Sequence, residues 1–280
     1  MASDLKAKEI TDQILNSHKF QKVDSDLIRQ ISEKEIQSST KDKEVIKNVK
    51  SKLYQIGGAF REENINYSSF SEKLYSLREP VQQEELKEIC MEIMQHHSST
   101  RERLLVLDSF YQNIFSRLPE IYSIMDLACG LNPLAFPWMK TADNISYCAY
   151  DLYSDMSELL NAFFTKIKIS GKASQMNLLT EFPEKKVQLT FLLKTIPCLE
   201  QVDKNAGFNI LKQLQKITDY AVISFPVHSL SGKNKGMQKN YEAHFYEICS
   251  QDDWKIEKLD LSAELVFLLT NLQGIRTENL

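Results

Sequence analysis

The chain has 280 residues, 42% of them hydrophobic and 26% charged, with a formal net charge of −4. This composition describes a globular protein with a sizeable core. It excludes the uniformly basic surface of a nonspecific nucleic-acid binder and still allows a local basic face. No run approaches the ~18 consecutive apolar residues of a membrane span. Met1 to Lys8 lack the apolar segment of a secretory signal, so a cytoplasmic location and no membrane partner are expected. The five cysteines (Cys90, Cys129, Cys148, Cys198 and Cys249) are scattered without a C-x-x-C pair, which fits reduced thiols. His96 and His97 are adjacent and do not face one another on a helix, so no metal site is expected.

Residues 1 to about 95 read as helices. Ile10, Ile14 and Leu15 give one amphipathic stretch, and Leu27, Ile28, Ile31 and Ile36 continue the pattern. Lys43, Lys47 and Lys50 then share one helix face, with Val45, Ile46, Val49 and Leu53 on another. Such a lysine face is either solvated or, if other basic groups converge on it, a surface that tracks phosphates. Gly57-Gly58 and Pro80 punctuate the helical pattern. Ser98 or Ser99 with Glu102 has the spacing of a capping box, opening a helix that ends near Arg117.

From about residue 120 the texture changes. Short apolar runs at Ile121–Leu127, Ile145–Tyr150, Val187–Leu193, Tyr220–Phe225 and Leu265–Leu269 alternate with helix candidates at 155–169 and 205–216, and Gly171–Met176 takes the place of the third strand. Strands that alternate with helices indicate a parallel sheet. The chain is therefore expected to be α/β, with a Rossmann-like domain at 116–280, connecting helices at 81–115 and a helical domain at 1–80.

The segment Asp126-Leu-Ala-Cys-Gly-Leu-Asn-Pro133 forms the turn that leaves the first strand, and Asp151 ends the second strand. Gly130 lets backbone approach a ligand, and Asp151 is placed to bind a ribose diol or to cap a helix. A pyrophosphate cofactor wants G-x-G-x-x-G, and only one of those glycines is present. A cofactor without phosphates fits better, namely S-adenosylmethionine. Asn177-Leu178 follows the third strand, where an adenine would lie. Lys194, in Leu192-Leu-Lys-Thr-Ile-Pro-Cys-Leu199, ends the fourth strand, where substrate meets cofactor in such sheets. Of Arg101 and Arg103, one could hold the methionine carboxylate bidentately. The stretch Ser224–Met237 mixes Phe225, hydroxyls, glycines and Lys233 and Lys235, a composition suited to clamping a splayed base or simply to a polar loop.

Leu53–Phe60, His97–Leu104, Asp126–Pro133, Leu192–Leu199 and Ile223–Met237 together resemble the aminoglycoside-resistance 16S rRNA methyltransferases, which make 7-methylguanosine at position 1405. The resemblance covers most of the chain in the same order. It implies a Rossmann-like methyltransferase domain behind a helical domain that docks on the 30S subunit, working as a monomer and conferring resistance to kanamycin and gentamicin. It implies a cofactor pocket of His97, Ser98, Ser99, Arg103, Ala128, Gly130, Asp151, Asn177, Leu178, Leu193 and Gln201, closed by Phe60. Family members often carry aspartate where this chain has Asn177, whose carbonyl is still an acceptor. On the substrate side, Phe225 would stack on a flipped guanine beside Lys194. Ser229, Lys233, Lys235 and Met237 would hold the RNA locally, and Lys43, Lys47 and Lys50 would grip it farther off. Guanine N7 carries a lone pair and no proton, so no general base is expected. A methyltransferase acting on a small molecule or another RNA is the alternative.

Overall fold

The computed structural model describes residues 2–39, 41–58, 60, 65–227, 237–250 and 253–273. Three helices open the chain: α1 (Ala2–Leu15), α2 (Ser25–Ser38) and α3 (Asp42–Leu53). The Asp24 side chain caps α2 by accepting from the Leu27 N–H at 2.8 Å. Val45, Val49 and Leu53 recur every fourth residue on α3 and are buried, while Lys43 and Lys47 are exposed and Lys50 is half-buried. A π-helical turn, Tyr54–Gly58, continues α3.

α4 (Tyr67–Ser76) packs on α8 (Ser154–Lys166), and α5 (Gln83–Met94) packs on the 3-10 segment Asn132–Trp138. The helix expected from the capping box is broken into α6 (Ser98–Arg101), a 3-10 turn (Leu104–Val106) and α7 (Leu107–Phe115). His97 stands at the cap position of α6 with no side-chain cap bond, so the box does not form; the Glu102 carboxylate is drawn to Lys194 instead.

The sheet has seven strands: β1 (Ser123–Leu127), β2 (Ser146–Asp151), β3 (Ser170–Gln175), β4 (Val187–Leu193), β5 (Thr218–Pro226), β6 (Trp254–Leu259) and β7 (Glu264–Asn271). Their spatial order is β3-β2-β1-β4-β5-β7-β6. β1 to β5 are parallel, and β7 runs antiparallel to both β5 and β6. No α-helix links β1 to β2. Pro133 and Pro137 lie in that connection, which winds as a 3-10 segment because a proline cannot sustain the i→i−4 ladder. The connection from β4 to β5 contains α9 (Ile196–Leu199) and α10 (Ala206–Ile217), and α11 (Met237–Cys249) precedes β6.

Strand alternation splits the core into two layers. Ile124, Leu189, Phe191, Val222, Val266 and Leu268 face α7, α8 and the N-terminal helices. Met125, Leu127, Leu192, Ile223, Phe225 and Phe267 face α9, α10 and α11. The first layer is continuous from Ile10 on α1 to Leu268 on β7, so no polar seam separates the N-terminal helices from the sheet. Backbone bonds reinforce the junction, with the Asp24 N–H to the Leu152 carbonyl at 3.0 Å and the Ser154 N–H to the Lys22 carbonyl at 3.1 Å. Among the described residues, no helix is long and apolar enough to cross a membrane.

Candidate cofactor and substrate site

The chain's crossovers reverse direction between β1 and β4, and this is where an open α/β sheet leaves a crevice beyond its strand ends. A cavity of about 720 Å³, counting its open mouth, lies there.

The turn after β1 builds one wall. Ala128 and Gly130 both adopt left-handed backbone, with φ of 50° and 51°. A Cβ on Gly130 would stand 2.7 Å from His97 Cε1, so this position needs glycine twice over. The Gly130 N–H donates to Asp151 Oδ2 at 2.8 Å, and the Leu152 N–H donates to Oδ1 at 2.7 Å. An ionised carboxylate oxygen can accept more than one hydrogen bond, so these two contacts alone do not saturate it. His97 closes one side, its ring 6.0 Å from that of Phe60 at 18°, and the Ser98 N–H donates to the Phe60 carbonyl at 2.8 Å.

Behind the crevice lies a buried polar network. Arg103, 1% exposed, pairs with the fully buried Glu264 at 2.8 Å. It also donates to Tyr111 and to Asn132 Oδ1, and Asn132 donates to Asp126 at 2.7 Å. Lys194 reaches both Glu102 and Glu264, the latter at 3.2 Å. Its own backbone is left-handed at φ 58°, and its N–H donates to Ser224 Oγ at 3.1 Å. Burial pushes the Asp126 carboxyl up to about 7, against hydrogen bonds from Asn132 and Tyr147 that favour the anion. Burial also pushes the Cys198 thiol up to about 12.

Of the residues expected to bind the cofactor, the crevice is lined by Phe60, His97, Ser99 and Arg103 from the helical side. From the sheet side it is lined by Ala128, Gly130, Asp151, Leu178 and Leu193. Three others are not among the lining residues. Gln201 is exposed just past α9 and donates to the Pro197 carbonyl at 3.4 Å. Asn177 is 2% exposed, between the lining residues Met176 and Leu178. Its Oδ1 accepts from the Leu179 N–H at 3.1 Å, so the group left without a partner among the described residues is the donor Nδ2, not the acceptor. Ser98 Oγ is buried and likewise lacks a partner among the described residues. The bidentate arginine grip also needs correction. Arg103 spends Nε and Nη1 on Glu264, Tyr111 and Asn132 and holds Ser99 Oγ with Nη2.

On the substrate side, Lys194 does line the crevice, but it is buried and ion-paired. Phe225 does not offer a stacking face. It is 0% exposed, edge-on to Phe245 and Phe267, because strand alternation turns it inward with Ile223. Met237 is half-buried at the start of α11. Ser229, Lys233 and Lys235 lie outside the described residues.

The structure adds residues that the sequence pattern did not reveal: Ile56 and Gly57 from the π-helical turn, Tyr153 from the start of α8, and Thr195, Cys198 and Leu199. Glu264 is another. An acid opening the otherwise apolar run Glu-Leu-Val-Phe-Leu-Leu was the signal for a buried charge. Among the described residues, no group of three or more His, Cys, Asp or Glu could hold a metal ion.

The strand order, the reversed last strand and a crevice bearing an acid at the end of β2 define a Rossmann-like methyltransferase of the S-adenosylmethionine-dependent class. The chain belongs to the ribosomal RNA methyltransferase (FmrO) family, whose model matches residues 16–268. It is 32% identical over 258 residues to a 16S rRNA (guanine(1405)-N(7))-methyltransferase of Micromonospora rosea, covering 91% of this chain and 93% of that protein. A protein of the same name from Micromonospora echinospora is 30% identical, with 93% and 95% covered. Among solved structures, the 16S rRNA methyltransferase RmtF in complex with S-adenosyl-L-homocysteine superposes with a TM-score of 0.80. It is 25% identical, with 96% of this chain and 99% of that chain covered.

Proposed function

We propose that this chain transfers a methyl group from S-adenosylmethionine to N7 of guanine 1405 of 16S rRNA in the 30S subunit. That activity protects the ribosome from kanamycin and gentamicin. The observation that carries the reading is a crevice at the point where the crossovers reverse, with Asp151 at the end of β2 on its wall. Asp151 is tied to two backbone N–H groups, and the lysine and arginine that reach the crevice are neutralised by Glu102 and Glu264. Guanine N7 has no proton to lose, so such a site is sufficient. The names of the relatives and the ligand of RmtF point the same way.

The residues present fit the cofactor. When bound, S-adenosylmethionine supplies an electrophilic methyl on a sulfonium. Asp151 would take the ribose hydroxyls, and the apolar Met176 and Leu178 would pack on adenine. Asn177 Nδ2 would serve a ring nitrogen acceptor of adenine, in the opposite polarity to an aspartate. Gly130 admits the backbone approach, and the stacked Phe60–His97 pair excludes water. Arg103 Nη2 and Ser99 stand toward the amino-acid end. A target guanine in paired RNA would have to be extruded to reach this mouth, and the ribosomal substrate places the work in the cytoplasm. The exposed Lys43 and Lys47, with Lys50, supply a basic face on α3, whose π-helical continuation forms part of the crevice wall. Deleting residues 1–80 would therefore remove part of the cofactor wall as well as the docking face.

The decisive experiment incubates purified 30S subunits with labelled S-adenosylmethionine. Label is expected at a single A-site guanine, mapped by strand scission at 7-methylguanosine, with naked 16S rRNA a poor substrate. Unlabelled 30S subunits would refute the proposal. Label at an adenine would point to a different base-recognition chemistry.

A further inference from the structure

Phe225 is sealed in the core, yet the aromatic stack it belongs to reaches the surface. Tyr241 of α11 lies over Phe225 with ring centroids 5.4 Å apart and planes at 27°, and it stays half-buried. Its phenol is within electrostatic reach of Cys198 and Glu200, and Cys198 lines the crevice. One face of the Tyr241 ring is thus backed by core, and one turn further on His244 ties α11 to Glu200, two residues past the crevice-lining Cys198. We propose that Tyr241 is the residue on which the target guanine stacks, an inference that rests on the function proposed above.

The ring is held in place before any substrate arrives. Phe225 abuts Phe245 and Phe267, which themselves stack at 4.2 Å and 23°. On the next turn of α11, His244 Nε2 meets Glu200 Oε1 at 2.9 Å, fastening α11 to the segment that follows Cys198. Glu200 has room there because position 207 is glycine, where a Cβ would lie 2.5 Å from Glu200 Oε1. The orientation of Tyr241 is therefore tied to the crevice wall, which is what alignment of a reacting base requires.

The chemistry explains why an aromatic face serves here. The bond from the sulfonium sulfur to the methyl carbon breaks as the N7 lone pair forms the new N–C bond, and no proton moves. Positive charge passes from sulfur to the guanine ring. A phenol π face attracts that charge more strongly in the transition state than it attracts the neutral base beforehand, so its contribution belongs to kcat more than to KM.

The test compares Tyr241→Phe, Tyr241→Leu and Tyr241→Met with the unaltered chain on 30S subunits, and measures S-adenosylhomocysteine affinity and thermal stability in parallel. The preference of the phenol face for the charged ring corresponds to a fall in kcat of about 2- to 30-fold in Tyr241→Leu. KM for 30S and S-adenosylhomocysteine affinity should barely change, and Tyr241→Phe should keep near-normal kcat. Tyr241→Met fills the same space without a π system and should match Tyr241→Leu, which keeps the test open if leucine impairs folding. Normal kcat in Tyr241→Leu or Tyr241→Met overturns the proposal. So does a parallel loss of cofactor affinity and stability in both, which marks a structural role. If the unaltered chain fails to label 30S subunits, the proposed function fails; if it labels them and the variants match it, only the assignment of Tyr241 fails.

Discussion

Replacing Glu264 by glutamine tests the buried network behind the crevice. The substitution keeps the shape and one acceptor of the side chain but removes its charge. Arg103 is 1% exposed and stands 2.8 Å from this carboxylate, and its other contacts are neutral: Ser99, Tyr111 and Asn132. Lys194, 3.2 Å away, would still have Glu102. The guanidinium would be left buried beside no contacting carboxylate, a situation that costs about 3–5 kcal/mol when one partner of a buried pair is removed. At roughly 2–4 °C per kcal/mol for a chain of this size, the apparent Tm should fall by about 6–20 °C. Thermal unfolding followed by circular dichroism measures this directly. The double variant Arg103→Met/Glu264→Leu removes both charges and should lose less than the two single variants combined. A Tm change under about 2 °C for Glu264→Gln, or strict additivity in the cycle, would refute the reasoning, since both outcomes are incompatible with a buried pair whose charges neutralise one another.

Other outcomes rest on single residues. Gly130→Ala places a methyl 2.7 Å from His97 Cε1 on a backbone at φ +51°. The left-handed strain alone is about 1–2 kcal/mol, so S-adenosylhomocysteine affinity should fall about tenfold or more by calorimetry; unchanged affinity would show that the turn does not meet the cofactor. Asp126 has its carboxyl raised from 3.8 to about 7 by burial. Its protonated form therefore contributes stability that is complete below pH 3.8 and is lost as pH rises to about 7. The Tm of the unaltered chain minus that of Asp126→Asn should accordingly decline across that window and level off above it, and a flat difference would contradict a neutral native carboxyl. Replacing Lys43, Lys47 and Lys50 by alanine should weaken 30S binding and reduce the slope of log affinity against log salt by roughly two to three. Cofactor affinity should not change; an unaltered salt slope would remove α3 from the RNA interface.

How much of this was legible in the sequence varies with how local the cause is. Five of the seven strands were visible as apolar runs, and the polar β3, reading Ser-Gly-Lys-Ala-Ser-Gln, was placed only by its position after the helix candidate at 155–169. β6, reading Trp-Lys-Ile-Glu-Lys-Leu, was not visible, because an edge strand carries charge on its exposed side and resembles a loop. The turn at Asp126–Pro133 and the acid at Asp151 could be read because Gly130 needs left-handed backbone and the strand before it needs an unbroken apolar run. Nine of the crevice residues were anticipated as cofactor ligands, though Phe60, His97, Ser99, Ala128 and Leu193 entered through a family resemblance and not through any spacing rule.

The chain alone determined the sheet, the glycine turn, the acid at the end of β2 and the lysine face of α3, each set by backbone geometry or by side-chain periodicity within a few residues. Only the tertiary structure decided where charge and aromatic surface end up. It turned Phe225 inward, because the facing of a strand residue depends on what packs across the sheet, and laid the half-buried Tyr241 of α11 over it. It also drew Arg103 and Lys194 onto Glu264, some 161 and 70 residues further along the chain by their numbers, into one buried network. Such pairings are made by folding a sheet whose last strand runs against the others, and no local pattern encodes which partners meet there.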